Sequence, residues 1–116
     1  MSEQRNMQLF LNDIYDSIQA IESFIEGMTL EEFSKDRKSF SATIRELEVI
    51  GEAVTNIPDK IKQRYPHILW QEIKSFRNKI VHEYFGIDIR MVWDVVKNEL
   101  PLLKEQIFQV QTELEG

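Results

Sequence analysis

"HILWQEIKSFRNKIVHEYF", residues 67–85, carries two messages in one segment. Ile68, Leu69, Ile73, Phe76, Ile80, Val81 and Tyr84 recur every three or four positions, which is the spacing of one face of an α-helix. Pro66 precedes the run and Gly86 follows it as a stop. Within it stand Arg77, Asn78, His82 and Tyr84, polar groups that a packing helix does not need. The periodicity points to a helical fold, and the polar residues place a candidate site on the last two turns of this helix.

The same period extends along the rest of the chain. Met7, Phe10, Leu11, Ile14, Ile18, Ile21, Phe24 and Ile25 predict an amphipathic helix from about residue 4 to 26, ended by Gly27. "TLEE", 29–32, has the form of a capping box and opens a short helix or turn ending near Ser34. Asp36 or Ser39 can cap the next helix, where Phe40, Ile44, Leu47, Ile50, Val54 and Ile57 repeat until Pro58. Gly51 sits in its middle with no turn signal, at a cost of about 1 kcal/mol relative to alanine, so it predicts close approach of another helix. "PDKIKQRYP", 58–66, reads as a short exposed helical turn. Asp88 can cap a last helix through Met91, Val95, Leu103, Ile107 and Leu114, in which Pro101 predicts a kink. The expectation is a single all-α domain over 1–116, an up-and-down helical bundle.

Composition narrows the function. The 116 residues contain no cysteine, so disulfides and thiolate metal sites are excluded, which fits a reducing compartment. No leader pattern and no run of eighteen apolar residues is present, so the expectation is a soluble, cytoplasmic protein with no membrane partner. The net charge of −6 argues against phosphate-rich partners until its distribution is examined. Lys60, Lys62, Arg64, Lys74, Arg77 and Lys79 face one acid, Glu72, between residues 60 and 82, for +5; the remainder carries −11. Both histidines, His67 and His82, lie in that basic segment.

Cleavage of RNA needs no metal, because the 2′-hydroxyl next to the scissile phosphate can attack if one group takes its proton and another protonates the leaving oxygen. Histidine suits both tasks near neutral pH, and arginine stabilises the charge on the phosphoryl oxygens. Asparagine can fix the phosphate or the imidazole tautomer. Asn78 and His82, four apart, share a helix face, whereas Arg77 and His82 are about 140° apart. Arg77 must therefore reach round the helix or serve a site assembled from two copies. One motif histidine per chain against two proton transfers points the same way, to a homodimer with a composite cleft. Each residue also has a plain structural reading: His82 as a surface or core histidine, Asn78 as a solvated position, Tyr84 as core with its hydroxyl at the rim. Trp70 and Trp93 read as core. His82 and Glu83 do not converge as metal ligands, and no glycine-rich phosphate loop or nucleophile elbow occurs, so neither a metal nor a cofactor is expected.

Arg77, Asn78, Val81, His82 and Tyr84 in this order resemble the signature of the HepT-like toxins of the HEPN superfamily. "LEVIGEAVTNIP" at 47–58, "WQEIKSFRNKIVHEYFGID" at 70–88 and "VWDVVKNELPLLKEQI" at 92–107 are similar as well, so the resemblance covers roughly residues 7–110. It implies a small helical ribonuclease paired with a minimal nucleotidyltransferase antitoxin of the MNT type. It implies that Arg77 and His82 are the catalytic pair with Asn78 in support, and that Tyr84 is the residue to which the antitoxin attaches AMP. Lys60, Lys62, Arg64, Lys74 and Lys79 would then attract RNA phosphates. Gly51 and Glu52, in "IGEA", fall at the helix packing near the cleft, with no role read for Glu52. The rival expectation is a helical partner subunit that binds the nucleotidyltransferase without cleaving RNA.

Overall fold

A computed structural model describes residues 2–115. Met1 and Gly116, the ends of the expected 1–116 domain, lie outside the described residues. The chain forms α1 (Ser2–Ile25), α2 (Leu30–Lys35), α3 (Arg37–Asn56), α4 (Asp59–Arg64), α5 (Trp70–His82), a 3-10 turn (Tyr84–Gly86), α6 (Ile89–Asp94), a π-helical segment (Val95–Glu99) and α7 (Leu100–Glu115). Among the described residues no strand occurs. The architecture is an all-α bundle of the HEPN-like kind, in which α3 packs between α1 and α5 while α7 closes on α1.

The predicted stripes form the core. Met7, Leu11, Ile14, Ile18, Ile21 and Ile25 of α1 are buried against Ile44, Leu47, Ile50 and Val54 of α3 and Leu100, Leu103, Ile107 and Val110 of α7. Local signals define the ends of the elements. Gly27 adopts φ +76°, the left-handed conformation that lets the chain leave α1 without a Cβ clash. Thr29 and Glu32 exchange both capping-box bonds, at 2.9 and 3.1 Å. Of the two candidates, Asp36 caps α3: its carboxylate accepts from the Ser39 N–H at 3.1 Å and the Ser39 hydroxyl at 2.9 Å. Asp88 caps α6 by accepting from the Arg90 N–H at 2.9 Å.

Three expectations are corrected. The motif helix is shorter than the Pro66–Gly86 periodicity indicates: Tyr65 to Leu69 form turns, with the Ile68 N–H donating to the Tyr65 carbonyl, and α5 begins at Trp70. It stops at His82, because Ile87 and Ile89 pack on the core and the chain must turn back to deliver them. Tyr84 therefore lies in a 3-10 turn and not on the helix, and Leu69, Val81 and Tyr84 are exposed and outside the core. Second, the effect of Pro101 is seen one turn ahead of it. Proline offers no N–H and crowds the carbonyl four residues back, and the helix answers by widening into the π segment Val95–Glu99. Third, the Pro58–Pro66 stretch is anchored by buried Ile61 and Tyr65, and only part of its surface faces solvent.

Candidate active site

The site is built where α5 crosses α3. Trp70 roots α5, buried with its indole N–H donating to the Tyr65 carbonyl at 3.0 Å, and Ile80 is buried near the other end. Both tryptophans belong to the core packing, Trp93 lying 5.1 Å from the buried Phe33 ring. At the crossing, a Cβ placed on Gly51 would collide with Cβ and Cγ of Arg77. The close approach expected at Gly51 is thus made by the stem of the motif arginine.

Beyond this contact the guanidinium of Arg77 is gripped on two sides. Its Nη2 donates to Glu52 Oε2 at 2.8 Å, and its Nη1 donates to Asn78 Oδ1 at 2.9 Å. The side chain of Arg77 is 31 % exposed and that of Glu52 59 %. An ion pair this open to water contributes about 0–1 kcal/mol to stability, so its main effect is to set the direction of the guanidinium. The remaining N–H groups of the fork stay available to an anion. Arg77 and Glu52 border an opening of about 350 Å³ between α1, α3 and α5, shared with Phe10, Asp13, Arg45 and Glu48.

His82 ends α5 with its imidazole exposed. Helix geometry sets it about 140° round and about 7.5 Å along from Arg77, with half-buried Asn78 between them. Within one chain, Arg77, Asn78 and Glu52 form a bonded cluster, and His82, about 140° round α5, is not joined to it. Next to His82 the surface turns apolar. Val81 is 45 %, Tyr84 38 % and Phe85 101 % exposed, and the Tyr84 and Phe85 rings meet edge to face at 5.4 Å. Periodicity does not reveal this patch, because Val81 and Tyr84 fit the apolar repeat; Phe85, which no apolar repeat requires, is the available signal.

The basic residues are divided between two helices. Lys74 and Lys79 stand on α5 with the motif, Lys74 half-buried and Lys79 exposed. Lys60, Lys62 and Arg64 stand on α4, where the Arg64 guanidinium lies 5.6 Å from the centre of the Tyr65 ring. Near that end the Tyr65 hydroxyl donates to Glu113 of α7 at 2.6 Å. This bond, followed by one from Gln109, holds the Glu113 carboxyl below its ordinary range, whereas burial and then Glu113 push the Tyr65 hydroxyl up. A second, mostly apolar groove of about 430 Å³ opens on the other flank of α5, between Ile73, Phe76, Val95 and Leu103, with His67 at its rim. Among the described residues no three His, Asp or Glu side chains converge as metal ligands would, and no helix is long and apolar enough to cross a membrane.

Arg77, Asn78 and His82 stand on the last turns of α5, with Tyr84 in the 3-10 turn that follows, and sequence comparisons identify the family. A profile described as ribonuclease HepT-like matches residues 14–110. A Thermococcus cleftensis protein named by assignment as a ribonuclease HepT is 43 % identical over 101 residues, covering 87 % of this chain and 92 % of that protein. Two Methanocaldococcus jannaschii proteins named by assignment as RNases are 39 % and 40 % identical, each over 97 % of this chain and over 93 % and 97 % of their own lengths. No solved structure matches the chain significantly. The chain belongs to the HepT-like ribonuclease family.

Proposed function

We propose that this protein is the toxin of a toxin–antitoxin pair, a metal-independent endoribonuclease whose site is completed by a second copy of the chain. The observation that carries this reading is the arrangement on α5: an oriented arginine with free donors on the α3 side, and an open histidine about 140° away. In the proposed reaction, one His82 imidazole takes the proton of the 2′-hydroxyl, whose oxygen attacks the adjacent phosphorus. The bond from phosphorus to the 5′-oxygen breaks, and the partner's His82 protonates that oxygen, leaving a 2′,3′-cyclic phosphate. Arg77 stabilises the charge on the non-bridging oxygens and Asn78 positions it. Lys74 and Lys79 beside the motif, with Lys60, Lys62 and Arg64 on α4, attract the RNA backbone.

Dimerisation is supported by the exposed Val81 and Phe85 beside His82, an apolar surface of the kind a second copy would cover. Tyr84 is the residue a nucleotidyltransferase antitoxin of the MNT type would modify. The residue is 38 % exposed, and an attached AMP would set negative charge and bulk two residues from His82. The setting is the cytoplasm, where both RNA and antitoxin are found.

Incubation of purified protein with total RNA in EDTA, with His82→Ala alongside, tests the reading. Discrete cleavage by the wild type alone is expected. Intact RNA with both proteins, in a dimeric preparation free of AMP, would instead favour a partner subunit that does not cleave.

A further inference from the structure

Helix geometry alone leaves Arg77 facing away from His82. An arginine side chain has many rotamers, and one that serves a developing phosphoryl charge must already point at it when the substrate arrives. Three contacts restrict Arg77. Its stem passes over Gly51, the one residue type that leaves room for it. Asn78, on the His82 side of the helix, accepts from Nη1, and Glu52 of α3 accepts from Nη2. The two acceptors hold separate nitrogens of one planar group, so together they fix its plane. Asn78 lies next to Arg77 on the same helix, whereas Glu52 reaches it from another helix and fixes the guanidinium relative to the bundle.

We infer that Glu52 is a positioning residue for the ribonuclease reaction: it holds the Arg77 guanidinium from α3, with Gly51 as the space that permits it, so that the free edge of the fork faces the RNA phosphate. This rests on the ribonuclease reading above. Glu52 does not touch the reacting atoms and acts only through Arg77. Its exposure means that the pair contributes little to folding, so removing it leaves the bundle intact and Arg77 unguided.

Two measurements on the full chain test this. In nitrogen-15 NMR, the Nη–H signals of a guanidinium held on two sides are resolved by slow rotation; Glu52→Ala collapses those of Arg77, and Glu52→Gln, which keeps an acceptor, retains them in part. In cleavage kinetics, Glu52→Ala lowers kcat about 10- to 100-fold with KM nearly unchanged, Glu52→Gln recovers much of the loss, and Glu52→Ala adds no loss in an Arg77→Ala background. Unchanged Arg77 signals, a wild-type kcat, a gain in rate, or full additivity with Arg77→Ala would each overturn the inference. If the wild type itself cleaves nothing, the ribonuclease reading fails, and the NMR comparison alone then decides whether Glu52 holds Arg77.

Discussion

The Cβ and Cγ of Arg77 occupy the volume in which residue 51 would otherwise carry its side chain, so Gly51 and Arg77 share one place in the bundle. Two effects oppose each other on Gly51→Ala. Alanine gains about 1 kcal/mol of helix propensity, and the collision costs about 1–3 kcal/mol of overpacking. The collision involves the root of Arg77, which cannot swing aside as a side-chain tip can, so the net change is a loss. Thermal melting of Gly51→Ala is expected to show a fall of several degrees, with RNA cleavage lost because Arg77 is displaced. A melt above that of the wild type would mean that the two helices separate at no cost.

His82→Ala separates chemistry from packing. The imidazole is exposed at the helix end, so stability changes by no more than about 0.5 kcal/mol, while loss of the acid–base group removes about 10²–10⁴-fold of the cleavage rate. Far-UV dichroism, melting and an RNA assay on one preparation check both halves.

The fastening of α4 to α7 predicts a pH dependence remote from the site. Glu113 is held below its ordinary value of 4.5, chiefly by the Tyr65 hydroxyl, so its contribution to stability is present above that value and is lost as pH falls through the lowered one. Tyr65 is raised above its ordinary 10.0, chiefly by burial, so its contribution is complete below that value and is lost as pH rises toward the raised one. Tyr65→Phe is expected to lower the melting temperature at neutral pH and to flatten the acid limb of stability against pH.

Phe85 tests the dimer. The residue is fully exposed, so Phe85→Ser leaves the fold of the single chain unchanged. If a second copy covers the ring, each ring is worth about 1.5–3 kcal/mol and a symmetric dimer covers two, so the substitution weakens dimerisation about 10²- to 10⁴-fold. Sedimentation over a concentration series reads the shift.

The bundle was legible because its determinants are local. The α1 stripe, the Thr29–Glu32 box and the Asp36 and Asp88 caps each lie within a few residues of the element they specify. Gly51 was legible as an anomaly, since a mid-helix glycine has a cost that needs a reason. The identity of its neighbour was hidden, because the partner is twenty-six positions away and depends on how two helices cross. Glu52 stayed without a role for the same reason: its bond to Arg77 spans twenty-five positions. Periodicity also failed at the end of α5, where it marks which residues share a face but not where the chain leaves the helix. Val81 and Tyr84 fit the repeat and still face solvent. Phe33, fully buried between Phe40 and Trp93, stands on a helix of six residues, too short for any period to show.

The measurement that tests the central claim most directly is cleavage by mixtures of wild type and His82→Ala, unfolded together and refolded at constant total concentration. If both copies supply a histidine to one site, only dimers of two wild-type chains cut, and an equal mixture retains about one quarter of the full activity. Retention of about one half would mean that each site uses a single histidine, and would contradict a site that takes one from each copy.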